Sequence, residues 1–331
     1  MAKPSTKKQS AVWKWTKRVL ITLAILAFLV AFVGVPGLIT YFITHAGTRP
    51  FELRLTDTPQ TFEVPFEDVQ FASYATEEQF ATAAGNGIAL DDMETAPNIS
   101  GWYLPHDSAK AVIIYAHGLF RSRQEMLKRA CEMWQRGYAG LLIDFRRHGK
   151  SSGEMTSMGY LEKFDILSAL RYLKKERHVD TPIAVCSVSM GAAATLLAAQ
   201  MTDEIDAVIA ESSFLSFDNT ITHHAKLLLS LPRFPFASTI ILMTKAWVGF
   251  SGDEFDVKLA MHNITHTPVL IMACEKDTRM PLENVRSLYD ACPSPNKEFV
   301  VIPDAPHGAA FRTHPELYVK TVTDFLERNL H

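Results

Sequence analysis

The stretch Cys186-Ser187-Val188-Ser189-Met190-Gly191 separates an apolar segment from an alanine-rich one. Residues 182–185 (Pro-Ile-Ala-Val) predict a buried strand, and residues 191–199 combine high helix propensity with small side chains. A tight turn between them would present the Ser189 hydroxyl at the helix N-terminus, whose positive end stabilises an oxygen that becomes negative during acyl transfer. We therefore predict that Ser189 is a nucleophile. The alternative is that Ser189 only caps the following helix.

Two later strand ends supply the partners that a serine nucleophile needs. Residues 268–273 predict a buried strand that is followed by Asp277, and residues 298–302 predict a last strand that is followed by His307. A histidine there can act as general base, and a carboxylate can orient it. Glu211, at the end of another predicted strand, is the alternative acid. Asp277 is preferred because the strand-end residues 274–277 (Cys-Glu-Lys-Asp), followed by Pro281, match the commoner arrangement.

Residues 111–116 form a further apolar strand pattern, which ends in His117-Gly118-Leu119-Phe120. A turn at this place can direct a backbone N–H toward the nucleophile. We predict an oxyanion hole made by the backbone N–H groups of Leu119 and Met190, with His117 in a structural role.

Serine, acid and histidine in this order, each at a strand end, resemble the α/β-hydrolase superfamily over residues 60–331. Residues 140–151 are similar to its Asp-x-Arg-Gly-x-Gly-x-Ser pattern, from which Arg147 departs at a glycine, and Ser187 replaces the first glycine of G-x-S-x-G, where we expect it to strain the turn further. Residues 101–105 (Gly-Trp-Tyr-Leu-Pro) are similar to a segment of the membrane-anchored BEM46-like group.

This resemblance implies an α/β fold in which a mostly parallel sheet is covered by helices on both faces. It also implies a serine hydrolase whose catalytic triad is Ser189, His307 and Asp277. We expect the cleaved bond to be a carboxylic ester, with peptidase or thioesterase chemistry as alternatives on the same triad. A membrane-tethered scaffold without activity is the alternative of another class.

The hydrophobic pattern after residue 60 alternates between strands and helices. A half-exposed first strand is predicted at Phe62, Val64 and Phe66, and helices are predicted at about 122–136, 158–177, 190–202, 281–291 and 314–330. Residues 213–267 interrupt the alternation and predict a small helical lid. Its apolar side chains either contact a lipophilic acyl substrate or only pack the lid on the body.

An uncharged run from Val19 to Thr44 is long enough to cross a membrane as a helix, with Pro36 expected to kink it or end its straight part. Six cationic residues and no acid precede it: Lys3, Lys7, Lys8, Lys14, Lys17 and Arg18. This asymmetry predicts a single-pass signal anchor in a plasma or inner membrane, with a cytoplasmic N-terminus and an extracytoplasmic catalytic domain. A cleaved secretory signal is the alternative, although the run is long and the cleavage site poor.

The expected organisation is a cytoplasmic basic segment (1–18), a transmembrane anchor (19–44), a linker (45–60) and a hydrolase domain (61–331). A formal net charge of −3 with no basic stripe argues against nucleic acid as a partner. The sequence contains no Cys-x-x-Cys or His-Glu-x-x-His, and we expect neither a metal nor a cofactor. Four cysteines are too few for a disulfide framework, so we expect buried thiols; a Cys274–Cys292 bridge is the alternative outside the cytoplasm.

Overall fold

A single sheet organises the protein. In this computed structural model, which describes residues 6–49, 52–86, 96–251 and 253–330, the sheet has eight strands in the order β1-β2-β4-β3-β5-β6-β7-β8. β2 is antiparallel to both β1 and β4, and the other neighbours are parallel. The strands are β1 Glu67–Ala72, β2 Asn98–Leu104, β3 Val112–Ala116, β4 Ala139–Ile143, β5 Ile183–Val188, β6 Ala207–Glu211, β7 Val269–Cys274 and β8 Lys297–Ile302.

Helices precede the sheet, connect its strands and cover both of its faces. They are α1 Thr6–Leu29, α2 Val35–His45, α3 Glu77–Asn86, α4 Leu127–Trp134, α5 Glu162–Lys175, α6 Met190–Ala199, α7 Phe217–Leu229, α8 Ser238–Val248, α9 Val257–Met261, α10 Leu282–Ala291, α11 Ala310–Thr313 and α12 Pro315–Asn329. α5, α6, α9 and α10 pack on one face, and α4 and α12 pack on the other.

The central strands are buried because each contributes side chains to both helical layers. In β3, Ile114 packs with α5 and α6, whereas Ile113 and Tyr115 point to the layer that contains α4 and α12. Such strands require apolar residues at nearly every position, which is why the sequence shows continuous apolar runs rather than alternation. The predicted α/β-hydrolase fold is confirmed.

The prediction of the first strand is wrong. Residues Pro59–Phe62 form a 3₁₀ turn, and β1 begins only at Glu67. Glu63 has a left-handed backbone (φ 59°), which breaks an extended segment, and Pro65 offers no N–H to a strand ladder. Val69 and Phe71 provide the buried positions of the strand instead.

The interval between β6 and β7 contains α7, a π-helical turn at Arg233–Ala237, α8 and the short α9. α9 lies in the apolar layer beside α6 and α10, so it belongs to the body of the fold. α7 and α8 stand above the carboxyl ends of the strands, where α7 and Ile240 of α8 line the cavity over Ser189. We call α7, the turn and α8 the lid.

The N-terminal apolar segment is helical from Thr6 to His45, and over Val12–His45 its length and composition would suffice to cross a membrane. Pro36 does not end this helix. Instead a π-helical turn, Val30–Gly34, comes just before it, and the Val35 N–H donates to the Val30 carbonyl five residues earlier. The wider turn accommodates the backbone where proline lacks a donor.

Candidate active site

Ser189 lies on a sharp turn between β5 and α6. Its backbone has φ 54° and ψ −114°, a conformation that L-residues rarely adopt, and it is held by a 2.8 Å hydrogen bond from its N–H to the Glu211 carbonyl. Gly191 makes the turn possible, because a Cβ there would lie 2.5 Å from the Ala116 carbonyl oxygen and 2.7 Å from that of His117. The N-terminus of α6 therefore approaches the end of β3 without a side chain between them.

Ser187 does not add strain to this turn, contrary to our expectation. It lies within β5, and its buried hydroxyl donates to the Ile209 carbonyl of β6 at 2.9 Å. The left-handed φ angle falls on Ser189 and not on Ser187. A serine replaces the usual glycine without conflict because the position is extended and an acceptor is available on the next strand.

The three residues predicted as a triad lie side by side at the carboxyl ends of β5, β7 and β8. Ser189 Oγ is 2.9 Å from His307 Nε2, and His307 Nδ1 is 2.7 Å from Asp277 Oδ2. Because a carboxylate only accepts, Nδ1 carries the imidazole proton and Nε2 is left to accept the serine proton. This tautomer is the one that a general base requires.

Asp277 is fixed and kept ionised by its neighbours. Its Oδ1 accepts the backbone N–H groups of Arg279 and Met280, both at 2.9 Å. Burial by itself would raise the pKa of Asp277, but the hydrogen bond and charge of His307 and the Met280 N–H outweigh it, and the pKa lies below its ordinary value. The carboxylate is thus available to stabilise an imidazolium.

Glu211, the alternative acid, has different partners. It is fully buried, and its carboxylate accepts from the Arg129 guanidinium at 3.0 Å and from the Ala310 N–H at 2.8 Å. This ion pair holds the segment after His307 against α4. The ring of His307 forms its hydrogen bond with Asp277 instead.

The Leu119 and Met190 amides are available to bind an oxyanion. Within the described residues, neither backbone N–H has a hydrogen-bond acceptor. The N–H of the adjacent Gly118, by contrast, donates to Glu125 Oε2 at 2.7 Å, and that of Phe120 donates to His148 Nε2 at 3.3 Å. Two bonded amides on either side of a free one fix the direction of the loop.

His117 and His148 hold this loop as neutral rings. The Phe145 N–H donates to His117 Nε2 at 3.1 Å, and His148 Nδ1 pairs with the Arg146 carbonyl at 2.9 Å. Burial lowers the pKa of both rings, and the charge of His148 lowers the pKa of His117 further. A proton added to either accepting nitrogen would remove a hydrogen bond on which the loop depends.

We expect the fold to lose stability as the pH falls below about 6.5. His117 and His148 bind protons in the unfolded chain but stay neutral when they are buried in the folded protein. Since the folded pKa of His117 is depressed, its contribution is present above the unfolded value and is lost on acidification. H117Q, whose amide oxygen can still accept the Phe145 N–H, should remove a pH dependence of the free energy of unfolding that grows below pH 6.5 toward a limit of about 1.4 kcal/mol per pH unit. Urea melts of both proteins at pH 7.5, 6.5 and 5.5 measure this difference, and equal slopes would refute the role of His117.

A mostly apolar cavity of about 900 Å³ opens above Ser189. Its floor includes Leu119, Met190 and His307, and α7 and α8 of the lid form one side. This volume is near the upper end of the range for small-molecule sites, about 300–1,000 Å³. Among the residues that the structure describes, no group of three or more His, Cys, Asp and Glu side chains could hold a metal ion.

Some contributors to the site carry no motif. Glu125 braces residues 117–121, the loop that contains Leu119 and that we call the oxyanion loop, but its place in the sequence gives no indication of this role. A face of α2 also lines the cavity, and the sequence does indicate a packed face here. Thr40 and Thr44 are polar residues one turn apart in an otherwise apolar run, as expected where one side of an apolar helix contacts protein. The four cysteines are buried and unpaired, so Cys274 and Cys292 form no bridge.

Comparison with known proteins agrees with this architecture. The family described as serine aminopeptidase, S33, matches residues 107–246. YqkD of Bacillus subtilis is 29% identical over 70% of this chain and 75% of its own length, and bem46 of Schizosaccharomyces pombe is 30% identical over 57% of each chain. The structure of the Pyrococcus furiosus esterase Pf2001 superposes with a TM-score of 0.65 at 24% identity, covering 84% of this chain and 98% of that one.

The sheet order, the turn at Ser189 and these similarities lead to one assignment. The chain has the α/β-hydrolase fold, its residues 107–246 match a hydrolase family, and it is similar to the BEM46-like proteins.

Proposed function

We propose that this protein is a serine hydrolase that cleaves a lipophilic carboxylic ester through an acyl-enzyme. The hydrogen-bonded series Ser189–His307–Asp277 at the floor of an apolar cavity carries this proposal. The family match supports a hydrolase, and the geometry of the three side chains supports serine as the nucleophile.

Acylation uses the two free amides and the triad together. His307 Nε2 takes the hydroxyl proton as Ser189 Oγ bonds to the substrate carbonyl carbon. The carbonyl oxygen becomes an oxyanion, which accepts from the N–H groups of Leu119 and Met190, while Asp277 stabilises the imidazolium. The C–O bond to the alcohol then breaks, and the alcohol leaves with the proton from His307.

Deacylation repeats the sequence with water. His307 removes a proton from a water molecule, whose oxygen bonds to the acyl carbon and forms a second oxyanion at the same amides. The bond to Ser189 Oγ breaks, the imidazolium returns its proton to that oxygen, and the carboxylic acid is released. The enzyme is restored with no cofactor consumed.

The charges around the cavity favour an ester over the substrate of an aminopeptidase. An aminopeptidase needs a carboxylate to pair with the substrate ammonium group. Of the described residues that line the cavity, only Glu125 is acidic, and it already accepts from Gly118 and pairs with Arg121. A free α-amine entering this cavity would lose its hydration without gaining an anionic partner.

We also propose that α1 and α2 anchor the protein in a membrane, as a single span with the N-terminus in the cytoplasm. The apolar side chains of α1 after Val19 are about half exposed, a surface that water would disfavour and lipid would cover. The basic residues before Val19 support the orientation. The catalytic domain then lies on the extracytoplasmic side.

A series of p-nitrophenyl esters, assayed beside aminoacyl p-nitroanilides, tests the proposed reaction. We expect kcat/KM to rise with acyl length, by up to about fourfold for each methylene group that enters the cavity, since burying one contributes about 0.8 kcal/mol. We expect the anilides to be cleaved far more slowly. Preferred cleavage of the anilides would make the protein a peptidase, and cleavage of neither series together with no fluorophosphonate labelling would favour the inactive scaffold.

A further inference from the structure

One wall of the cavity above Ser189 belongs to the N-terminal helix and not to the hydrolase domain. Leu38, Ile39, Phe42 and Ile43 of α2 line the same space as Ser189, and we call them the helix wall. Ile39 and Ile43 lie one turn apart and pack against the apolar layer of the body. The helix wall is therefore continuous with the core rather than a loose neighbour.

Polar contacts on an adjacent face fix α2 to the body. The hydroxyl groups of Thr40 and Thr244 are 3.3 Å apart in a buried contact with the lid, and the Thr156 N–H donates to the Thr44 carbonyl at 2.9 Å. Both threonines of α2 are almost completely buried. Hydrogen bonds in such surroundings define one orientation of the helix, which a purely apolar contact would leave less specified.

Arg147, which departs from the superfamily pattern at a glycine, holds the end of the same helix. Its backbone keeps the left-handed conformation (φ 63°) that glycine would adopt most readily. Its guanidinium Nε and Nη2 both donate to the His45 carbonyl at 3.2 Å, where a positive charge suits the C-terminus of a helix. Gly47 allows this approach, because a Cβ there would lie 2.5 Å from the Arg147 carbonyl oxygen.

The helix and the residues after it also contact the oxyanion loop. The rings of Phe42 and Phe120 are 5.5 Å apart, the Arg49 N–H donates to the Phe120 carbonyl at 2.9 Å, and the Thr48 hydroxyl donates to the Arg121 carbonyl at 2.7 Å. Phe120 directly follows Leu119, whose amide is proposed to bind the oxyanion. The helix wall therefore contacts the loop that carries the Leu119 amide, one of the two groups proposed to bind the oxyanion.

The side of the cavity mouth that lies between α2 and the lid is apolar, whereas the exposed side chains of Arg49, Lys276, Arg279 and Arg312 also line the cavity and add positive charge to its rim. Leu38 and Phe42 of the helix wall, and Leu228 and Leu229 of α7, line the cavity although each is more than half exposed. Residues that both line a cavity and face outward mark its opening. The leucine and phenylalanine side of this opening favours an acyl chain over a polar group.

The position of this mouth along the helix matches the edge of a bilayer. Leu38 follows Val19 by nineteen residues, about 28 Å at 1.5 Å per residue, and the hydrocarbon core is about 30 Å thick. Phe32, nearer the membrane centre, stacks on Phe236 of the lid with ring centroids 5.3 Å apart. The outer side of the lid carries exposed Phe234 and Leu242, which extend the same apolar surface.

We propose that the helix wall forms part of the acyl-binding site, and that the acyl chain of a membrane-resident ester enters sideways from the bilayer between α2 and the lid. This inference rests on the proposed ester hydrolase function. It makes the anchor a determinant of chain length as well as a tether. Removing the helix would then remove a side of the substrate site.

Substitution of Ile39 by tryptophan in the full-length chain tests the helix wall. The added volume should narrow the cavity, so the ratio of kcat/KM for p-nitrophenyl dodecanoate to that for the butyrate should fall about tenfold to a hundredfold. L26W is the matched control, because Leu26 is exposed on the same continuous helix and does not line the cavity. We expect its ratio to equal that of the wild type.

Fluorophosphonate labelling separates the possible failures. If wild type and I39W are both labelled and the chain-length ratio does not change, the helix wall plays no part in substrate binding while the proposed function stands. If wild type itself is not labelled, the proposed function fails. A ratio that falls equally in L26W would also overturn the inference, because the effect would then come from the membrane and not from the cavity.

Entry from the bilayer is tested with the wild-type protein in phosphatidylcholine vesicles. We expect 4-methylumbelliferyl oleate to be cleaved many times faster when it is in the same vesicles as the protein than when it is supplied in separate vesicles. Water-soluble 4-methylumbelliferyl butyrate should be cleaved equally in both arrangements. Equal rates on the oleate would show that the ester arrives through water, and lateral entry would be rejected.

Discussion

Replacing Ser189 with alanine is expected to lower kcat for a p-nitrophenyl ester by about six orders of magnitude, the scale of loss when the nucleophile of a serine triad is removed. The substitution removes the oxygen that lies 2.9 Å from His307 Nε2 and leaves the backbone hydrogen bonds of the turn in place. The free energy of unfolding should therefore change by no more than about 0.5 kcal/mol. Steady-state kinetics measure the loss of kcat, and a urea melt of the same preparation measures the free energy of unfolding.

The neighbouring serine provides the control. S187A deletes a hydroxyl whose partner is the Ile209 carbonyl, so it should cost about 1 kcal/mol of stability. Turnover should remain close to that of the wild type, because Ser187 lies inside β5. Loss of turnover in S187A with retention in S189A would mean that the nucleophile has been assigned to the wrong serine.

Replacing Asp277 with asparagine is expected to lower kcat by about 10⁴-fold while the protein stays folded. The asparagine oxygen can still accept from the Arg279 and Met280 amides. Its NH₂ group, however, would then face His307 Nδ1 and require that nitrogen to be an acceptor. The ring proton would move to Nε2, where it blocks the transfer from Ser189.

E211Q distinguishes the two candidate acids by the kind of damage it causes. It removes the ion-pair partner of the buried Arg129, so the free energy of unfolding should fall by about 3–5 kcal/mol. The kcat of the molecules that remain folded, counted by active-site titration, should stay within about tenfold of the wild type. A catalytic loss in E211Q that exceeds the loss in D277N would transfer the role of acid to Glu211.

The parts of the fold that were predictable are those that depend on local pattern. The strands before Ser189 and Asp277 are short, continuous apolar runs, and a strand buried on both faces needs such a run. The order of the candidate catalytic residues then brings them to one edge of a mostly parallel sheet. The first strand was misplaced because Phe62, Val64 and Phe66 alternate with polar residues, as they would in a strand. The left-handed backbone of Glu63 breaks the extended segment, and Pro65 has no N–H to donate to a strand ladder.

Features that depend on packing between distant segments were not predictable. The acceptor that accommodates Ser187 belongs to another strand, and the reason for Arg147 lies a hundred residues earlier at His45. The sequence indicates an apolar helix but not that one of its faces encloses the site. Only the spacing of Thr40 and Thr44 indicates a packed face within the run.

Mass-spectrometric mapping of the wild-type protein after reaction with a fluorophosphonate tests the central claim most directly. An activated serine nucleophile should give a single covalent adduct on the peptide that contains Ser189. Reaction should be slowed strongly in H307A, which lacks the general base, and should be absent in S189A. The absence of an adduct, or an adduct on another residue that persists in S189A, would contradict the claim that this chain is a serine hydrolase acting through Ser189.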